Sequence, residues 1–408
     1  MSNIDTSITN TSITNTDTNI IHPLSNKTYN NDEIKAIIDV LFSDKLTMGE
    51  NVFKFENEFA KFINSKFAIM VNSGSSANLL ALSVLTNFKY KNQLKPGDKI
   101  IIPSVCWSTS VWPLIQMNLV PIFVDININT LNMDINKVEE ILKNDKDIRG
   151  IMAVHILGNS TNMNKLMELK KKYNLILVED TCESLGSKYN SEYLGTFGEC
   201  GTFSFYYSHH ITTIEGGMIV TDDEDIYELL KCLRSHGWNR DQKYKSNYED
   251  VDNRFCFINM GYNLRPTEIQ GAMGLVQLKK LNNFNNNRII NYEKIINRIK
   301  NYNDSFLLTF EEQENCVSAW FQIPFLINND INVKEYLEYL NKKGIETRPI
   351  VTGNFIRQPV FKNLNINIEN ITFENSDIIH DKGFYIGLPC YELSDEKINT
   401  LVNILLKI

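Results

Sequence analysis

Short apolar runs separated by segments of helical periodicity constrain the fold of this chain more than any other feature of its sequence. There are seven such runs, namely FAIMV, KIIIP, VPIFVDI, GIMAVHI, LILVED, TFSFYY and GGMIVT. Strands that alternate with helices form crossover units, because parallel neighbours cannot be joined by a tight turn. The sequence therefore predicts an α/β fold whose mostly parallel sheet is covered by helices on both faces.

The sequence outside these runs indicates how the chain is divided. Residues 1–20 are polar and contain SITNT twice in succession, which predicts a disordered leader. A long helical pattern covers residues 267–300 and precedes a mixture of apolar strands and helices. We predict a large domain at 21–285 and a smaller α+β domain at 286–408.

Composition limits the classes of partner. The net charge is −8 and there is no Lys/Arg block, which disfavours binding to nucleic acid or to an anionic membrane. No apolar run approaches the roughly 18 residues that span a bilayer, and no signal peptide is recognisable, so we predict a cytoplasmic protein. The seven cysteines form no CxxC pair, which gives no indication of a metal site.

The segment NSGSSAN, at residues 72–78, lies between a predicted strand and a predicted helix. Free backbone amides and the helix dipole at such a position favour an anion, so a phosphate would fit on Gly74, Ser75 and Ser76. The same pattern is also that of an ordinary N-cap at a tight turn.

Two further strand ends carry candidate chemistry. Asp180 ends the run LILVED, where open α/β sheets bind ligands, although it could simply cap the next turn. Trp107 follows the run KIIIP; it could stack on a flat heterocycle or fill the core.

Two adjacent histidines, His209 and His210, follow the aromatic run TFSFYY. An imidazole in this loop could transfer protons near neutral pH. Metal binding and plain packing are the alternatives, but neighbouring side chains on an extended loop point apart, which disfavours a shared metal.

Taken together and in this order, these segments resemble the DegT/DnrJ/EryC1/StrS sugar aminotransferase family of fold-type I pyridoxal-phosphate enzymes. The resemblance runs from about Pro23 to the end of the chain. Its other marks are VEDTCESLGS, GTFGECGTFSF, EGGMIVTDD, RSHGWNR and GYNLRPTEIQGAMGLVQL. It implies that residues 21–285 form an aspartate-aminotransferase-like domain that binds pyridoxal or pyridoxamine phosphate.

The resemblance also implies roles for single residues. The cofactor phosphate would lie on the 74–76 loop and Ser204, with Asn263 reaching in from a second subunit of a homodimer. Asp180 would pair with the pyridine nitrogen, Trp107 would stack on the ring, and Glu183 would lie beside cofactor or substrate. Five residues would bind the diphosphate and sugar of the substrate, although each of them could instead form a structural salt bridge. They are His236, Arg240, Arg265, Arg348 and Asn354.

One departure from the family pattern bears on the reaction. Where the aminotransferases carry their cofactor-binding lysine, this chain has His209 in the triplet Ser208-His209-His210. The triplet resembles family members that remove the C3 hydroxyl of a nucleotide-linked 4-keto-6-deoxy sugar in making 3,6-dideoxy sugars of lipopolysaccharide O-antigen. The implied substrate is GDP-4-keto-6-deoxymannose, with pyridoxamine phosphate held without a covalent bond, His209 as base and L-glutamate as amino donor.

Three alternatives remain open. An iron-sulfur relative that dehydrates CDP-4-keto-6-deoxyglucose would need four clustered cysteines, and Cys256, Cys316 and Cys390 are far apart in sequence. A sugar-nucleotide aminotransferase could use another lysine. A non-catalytic regulator could bind pyridoxal phosphate alone. The segment Gly387-Leu388-Pro389-Cys390 departs from the family pattern, because it lacks the histidine that the resemblance implies.

Overall fold

The computed structural model describes residues 20–243, 248–302, 305–328, 331–364 and 372–408, so the predicted leader lies almost wholly outside the described residues. The strands are β1 (Phe67–Val71), β2 (Lys99–Pro103), β3 (Val120–Val124), β4 (Ile148–Val154), β5 (Ile176–Asp180), β6 (Lys188–Tyr189), β7 (Glu192–Tyr193), β8 (Cys200–Ser204), β9 (Gly217–Thr221), β10 (Leu307–Thr309), β11 (Cys316–Val317), β12 (Ile323–Ile327), β13 (Thr347–Pro349) and β14 (Gly383–Ile386). The helices are α1 (Asn31–Phe42), α2 (Glu50–Ile63), α3 (Gly74–Leu85), α4 (Ser108–Gln116), α5 (Ile135–Asn144), α6 (Met163–Tyr173), α7 (Glu224–Arg234), α8 (Glu268–Lys300), α9 (Val333–Lys342), α10 (Glu374–Lys382) and α11 (Asp395–Leu406).

A seven-stranded sheet in the order β1-β9-β8-β5-β4-β2-β3 forms the centre of the molecule. The pairs β2–β3, β2–β4, β4–β5 and β5–β8 are parallel, and β9 alone among these seven runs antiparallel to its neighbours β1 and β8. The predicted α/β class with a mostly parallel sheet is confirmed. Because six strands point the same way, the loops after β1, β2, β5 and β8 all leave the sheet at one edge.

The helices begin where the sequence supplies caps. Side chains at the N-caps of α1, α3, α6, α7 and α8 accept hydrogen bonds from first-turn amides; they are Asn30, Ser73, Asn162, Asp223 and Thr267. One strand is shorter than its apolar run suggests. The run TFSFYY continues to Tyr207, but β8 ends at Ser204, and Tyr206 and Tyr207 lie exposed in the loop that follows. This shortening places the two histidines in a loop beside the sheet edge.

The C-terminal part forms a second, antiparallel sheet in the order β10-β12-β14-β13. The helix α8 is shared between two hydrophobic clusters. Leu281 and Phe284 pack with α2 and β8, whereas Tyr292, Ile295 and Ile299 pack with the small sheet and α11. The predicted boundary at 285 falls within this continuous helix and stays a prediction.

The first described residues lie against the C-terminal part of the chain. His22 pairs with Ile345, and its Nε2 lies 2.8 Å from the carbonyl oxygen of Gly387, so residues near 22 contact the small sheet. No helix among the described residues combines the length and the apolar character needed to cross a bilayer.

Candidate active site

The N-terminus of α3 and the end of β8 form a narrow cradle. Ser73 caps α3, and its Oγ accepts from the backbone N–H of Ser76 at 3.1 Å. A Cβ atom added to Gly74 would lie 2.6 Å from the Cβ of Ser204, so only glycine allows this approach. The predicted phosphate residues Gly74, Ser75, Ser76 and Ser204 are thus brought together, and the helix dipole favours an anion among them.

Asp180, at the end of β5, is buried and is surrounded by donors. Its Oδ2 accepts from Asn78 Nδ2 at 2.8 Å and from Ser110 Oγ at 2.7 Å, while its Oδ1 accepts from the N–H of Cys182 at 3.1 Å. Asn78 is itself oriented by Thr202, whose hydroxyl donates to Asn78 Oδ1 at 2.6 Å. Three donors hold the carboxylate in place and suit its charged form, which could pair with a protonated ring nitrogen.

His209 follows β8 and is held by the loop after β5. Its Nδ1 lies 2.7 Å from the carbonyl oxygen of Cys182. A carbonyl can only accept, so Nδ1 carries the proton and Nε2 keeps a lone pair. Burial lowers the pKa of His209 to about 4, against opposing effects of the Cys182 carbonyl and the Asp180 charge. His209 is therefore neutral at pH 7, with Nε2 as a base.

Glu183 lies in the same loop as Cys182. Its Oε2 accepts from the backbone N–H of Leu157 at 2.9 Å, in the turn after β4. Burial raises the pKa of Glu183 to about 7, and the nearby Asp180 charge acts in the same direction. The site thus holds a carboxyl that titrates near neutrality and a histidine that does not, an arrangement typical of acid–base catalysis.

Trp107 is the N-cap residue of α4 and stays 55% exposed, so it does not fill the core. Residues that follow β13 contact the chain just before Trp107. Thr352 Oγ1 donates to the carbonyl oxygen of Cys106 at 2.8 Å, and Val105 forms a β-bridge with Asn354. The indole therefore stands at the sheet edge with a face available for an aromatic ligand.

Four of the predicted residues lie on segments around α7 and the start of α8. Asn263 is exposed, and its Oδ1 accepts from Nε of Arg265 at 3.0 Å. His236 adopts a left-handed φ of 65°. Arg240 lies over the ring of Trp238, with its Cζ 4.2 Å from the centroid. Within the described residues of one chain, none of these four side chains bonds to Asp180 or His209, and their roles stay predictions.

The remaining two substrate candidates lie in the C-terminal part. Arg348 is exposed on β13 and pairs in register with Tyr385 of β14. Asn354 is buried: its Nδ2 donates to Asp377 at 2.9 Å, and its Oδ1 caps a short helical turn by accepting from Ile356 N–H. Both polar ends of Asn354 are thus used inside the protein, so its predicted contact with substrate has less support than that of Arg348.

Sequence reasoning missed several residues that shape the site. Asn78 and Ser110 hold Asp180. Phe321 packs against the histidines at a tilt, with its ring centroid 4.9 Å from that of His209. Asn78 lies inside the segment NSGSSAN, so the sequence identified the segment but not the hydrogen bond from Asn78 to Asp180. In the described part of the chain, no group of three or more His, Cys, Asp or Glu side chains could hold a metal ion.

Comparison with known proteins identifies the relatives of this site. The DegT/DnrJ/EryC1/StrS aminotransferase family model matches residues 27–406. The GDP-4-keto-6-deoxy-D-mannose 3-dehydratase of Escherichia coli O55:H7 is 43% identical over 386 residues, which are 92% of this chain and 97% of that protein. The enzyme of the same name from Yersinia pseudotuberculosis is 37% identical over 394 residues, 94% of this chain and 98% of that protein.

A solved structure of GDP-4-keto-6-deoxymannose-3-dehydratase with a trapped PLP-glutamate geminal diamine superposes with a TM-score of 0.88. The two sequences are 42% identical, and the match covers 94% of this chain and 100% of that one. The family predicted from the motifs is confirmed. The chain belongs to the DegT/DnrJ/EryC1/StrS aminotransferase family.

Proposed function

We propose that this chain is a pyridoxal-phosphate-dependent 3-dehydratase that removes the C3 hydroxyl of GDP-4-keto-6-deoxymannose, with L-glutamate as amino donor. The observation that carries the proposal is His209, fixed with Nε2 free at the position where the aminotransferase pattern has a lysine. The named relatives support the substrate, and the trapped adduct in the solved relative supports glutamate.

The residues present fit the cofactor. A Cβ atom at residue 74 would collide with Ser204, so Gly74 keeps the N-terminus of α3 close to the end of β8. Asp180, held by three donors, lies at the same edge of the sheet. Trp107 offers an exposed indole beside them. We assign the phosphate to the 74–76 loop and Ser204, the pyridine nitrogen to Asp180 and ring stacking to Trp107.

Pyridoxamine phosphate supplies an electron sink that makes its methylene hydrogen acidic and allows the C3 hydroxyl of the joined sugar to leave. The part of His209 in this chemistry is proton transfer at Nε2. Because burial disfavours the imidazolium, Nε2 holds a proton only briefly and can return it to the departing oxygen. A lysine here would bind the cofactor covalently, whereas an imidazole only moves protons.

The substrate and subunit assignments are also proposals. Arg348 and Arg240 are exposed and Arg265 is half-buried, and these three cations suit a diphosphate; His236 and Asn354 complete the predicted set. The exposed position of Asn263 next to Arg265 is compatible with a contact to a second subunit, so we propose a homodimer with shared sites.

The test is to incubate the protein with GDP-4-keto-6-deoxymannose, pyridoxamine phosphate and glutamate, and to follow the sugar by mass spectrometry. We expect the sugar to lose one oxygen atom and ammonia to be released. An amino sugar as product would replace the proposal with an aminotransferase. If no sugar reacts and no hydrogen of the cofactor methylene exchanges with deuterium oxide, a non-catalytic binding protein is the better description.

A further inference from the structure

A buried arginine without a carboxylate partner lies behind the active site. Arg288 of α8 is only 4% exposed. Among the described residues no carboxylate lies within ion-pair distance of it, and its Nε has no hydrogen-bond partner. Burial of a charge without a counterion is costly, so an arginine in this position calls for an explanation beyond packing.

The hydrogen bonds of Arg288 join two segments of the small sheet. Its Nη1 donates to the carbonyl oxygen of Phe321 at 2.8 Å and to that of Leu388 at 3.0 Å. Phe321 precedes β12 and Leu388 follows β14, so one guanidinium fixes the ends of neighbouring strands. The segment around Leu388 is also the one that departs from the family pattern at Cys390.

Phe321, held in this way by Arg288, packs against both histidines. Its ring centroid lies 4.9 Å from that of His209, at an interplanar angle of 33°, and 5.8 Å from that of His210. Its N–H donates to the carbonyl oxygen of Leu157, whose own N–H binds Glu183. Phe321 therefore packs against the imidazole on one side and is bonded to the turn that holds Glu183.

We propose that Arg288 is a positioning residue of the active site, which holds Phe321 against the imidazole of His209. The proposal rests on the role of His209 in the proposed function. It assigns to the C-terminal part of the chain a task in the chemistry, since Phe321 and Leu388 both belong to that part.

The charges around the two histidines are consistent with this role. Asp180 from β5 raises the pKa of His209, and Arg288 from α8 lowers it, while burial is the largest cause of the net decrease. For His210, burial acts first and then the charges of Arg288 and His209, all lowering its pKa; its Nε2 lies 3.1 Å from the carbonyl oxygen of Ala319. Arg288 itself is faced by Cys390. A second effect of Arg288 is thus to favour neutral imidazoles.

The experiment compares Arg288→Met with Arg298→Met, which removes an arginine ten positions later on α8 whose partner is Asp395 at the surface. Both variants are assayed for sugar dehydration, and histidine titration is followed by NMR in the free protein labelled with ¹³C-histidine. For Arg288→Met we expect kcat to fall by about tenfold or more, because small displacements of a catalytic group are costly, with KM nearly unchanged. We also expect His209 to titrate at a higher pH than in the wild type.

Two further variants keep the test decisive. Arg288→Lys keeps the charge, so it should restore part of kcat and the low titration of His209. Phe321→Leu removes the ring that contacts the imidazole and keeps Arg288, and it should lower kcat. A folded Arg288→Met protein with wild-type kcat and titration overturns the proposal. If Arg288→Met does not fold, wild-type kcat in Phe321→Leu overturns it. Absence of dehydration by the wild-type protein would instead reject the proposed function, while the titration still reports on Arg288.

Discussion

The acid dependence of turnover should reveal the unusual environment of His209. Burial lowers the pKa of this imidazole to about 4, against 6.5 for an ordinary histidine. At pH 5, roughly nine-tenths of His209 would still be neutral, whereas an ordinary histidine would be only about 3% neutral. The difference in the fraction of base is therefore about thirtyfold at pH 5. Because the neutral form is the active base, activity limited by His209 should be lost only as the pH falls through about 4.

The assay is kcat/KM for dehydration of the sugar nucleotide between pH 4.5 and 8.5, which reports the groups of the free enzyme. Glu183 complicates the profile, since burial raises its pKa to about 7 and its titration falls inside this range. The Glu183→Gln variant removes that titration and leaves His209. In this variant we expect a flat profile from pH 8 to 5. An acidic limb near pH 6.5 that persists in Glu183→Gln would refute the reasoning, because it would show that His209 titrates as an ordinary histidine.

Three substitutions test the other parts of the site. His209→Asn should abolish turnover and leave cofactor affinity, measured by equilibrium dialysis, nearly unchanged. Residual dehydration would show that His209 is not the base. Gly74→Ala should weaken cofactor binding about tenfold or more, because the new Cβ would lie 2.6 Å from Ser204, and unchanged affinity would place the phosphate elsewhere. Ser110→Ala removes a 2.7 Å hydrogen bond to Asp180, worth about 1.5 to 3 kcal/mol when the acceptor is charged, and should lower cofactor affinity by about tenfold or more. Wild-type affinity in Ser110→Ala would mean that this hydrogen bond does not position Asp180 for the cofactor.

The sheet and its functional edge were predictable because their determinants are local. Each apolar run is a continuous segment, and the residues that follow it must lie where the strand ends. Asp180 and Trp107 could therefore be assigned to one edge before any packing was known. The reversed direction of β9 was not predictable in the same way, since GGMIVT has the composition of a buried strand in either orientation.

The contacts that give His209 its properties were beyond the sequence. Its tautomer depends on the carbonyl oxygen of Cys182, and its burial depends on Phe321, which is remote from it in the chain. No periodicity or motif relates a histidine after β8 to a phenylalanine before β12. Such pairs arise only when the small sheet packs on the large one.

The tertiary contacts of His209 also bear on how a position that holds lysine in the aminotransferases could come to hold a histidine that acts as a base. A histidine in an exposed loop would be partly protonated at neutral pH and free to choose either tautomer. Here the carbonyl of Cys182 fixes the proton on Nδ1, burial favours the neutral ring, and Arg288 holds the aromatic neighbour from behind. Replacement of a lysine by histidine would therefore not suffice to make a dehydratase base. The surrounding Phe321 and Arg288 belong to the same functional unit, although neither lies in the loop that carries the substitution.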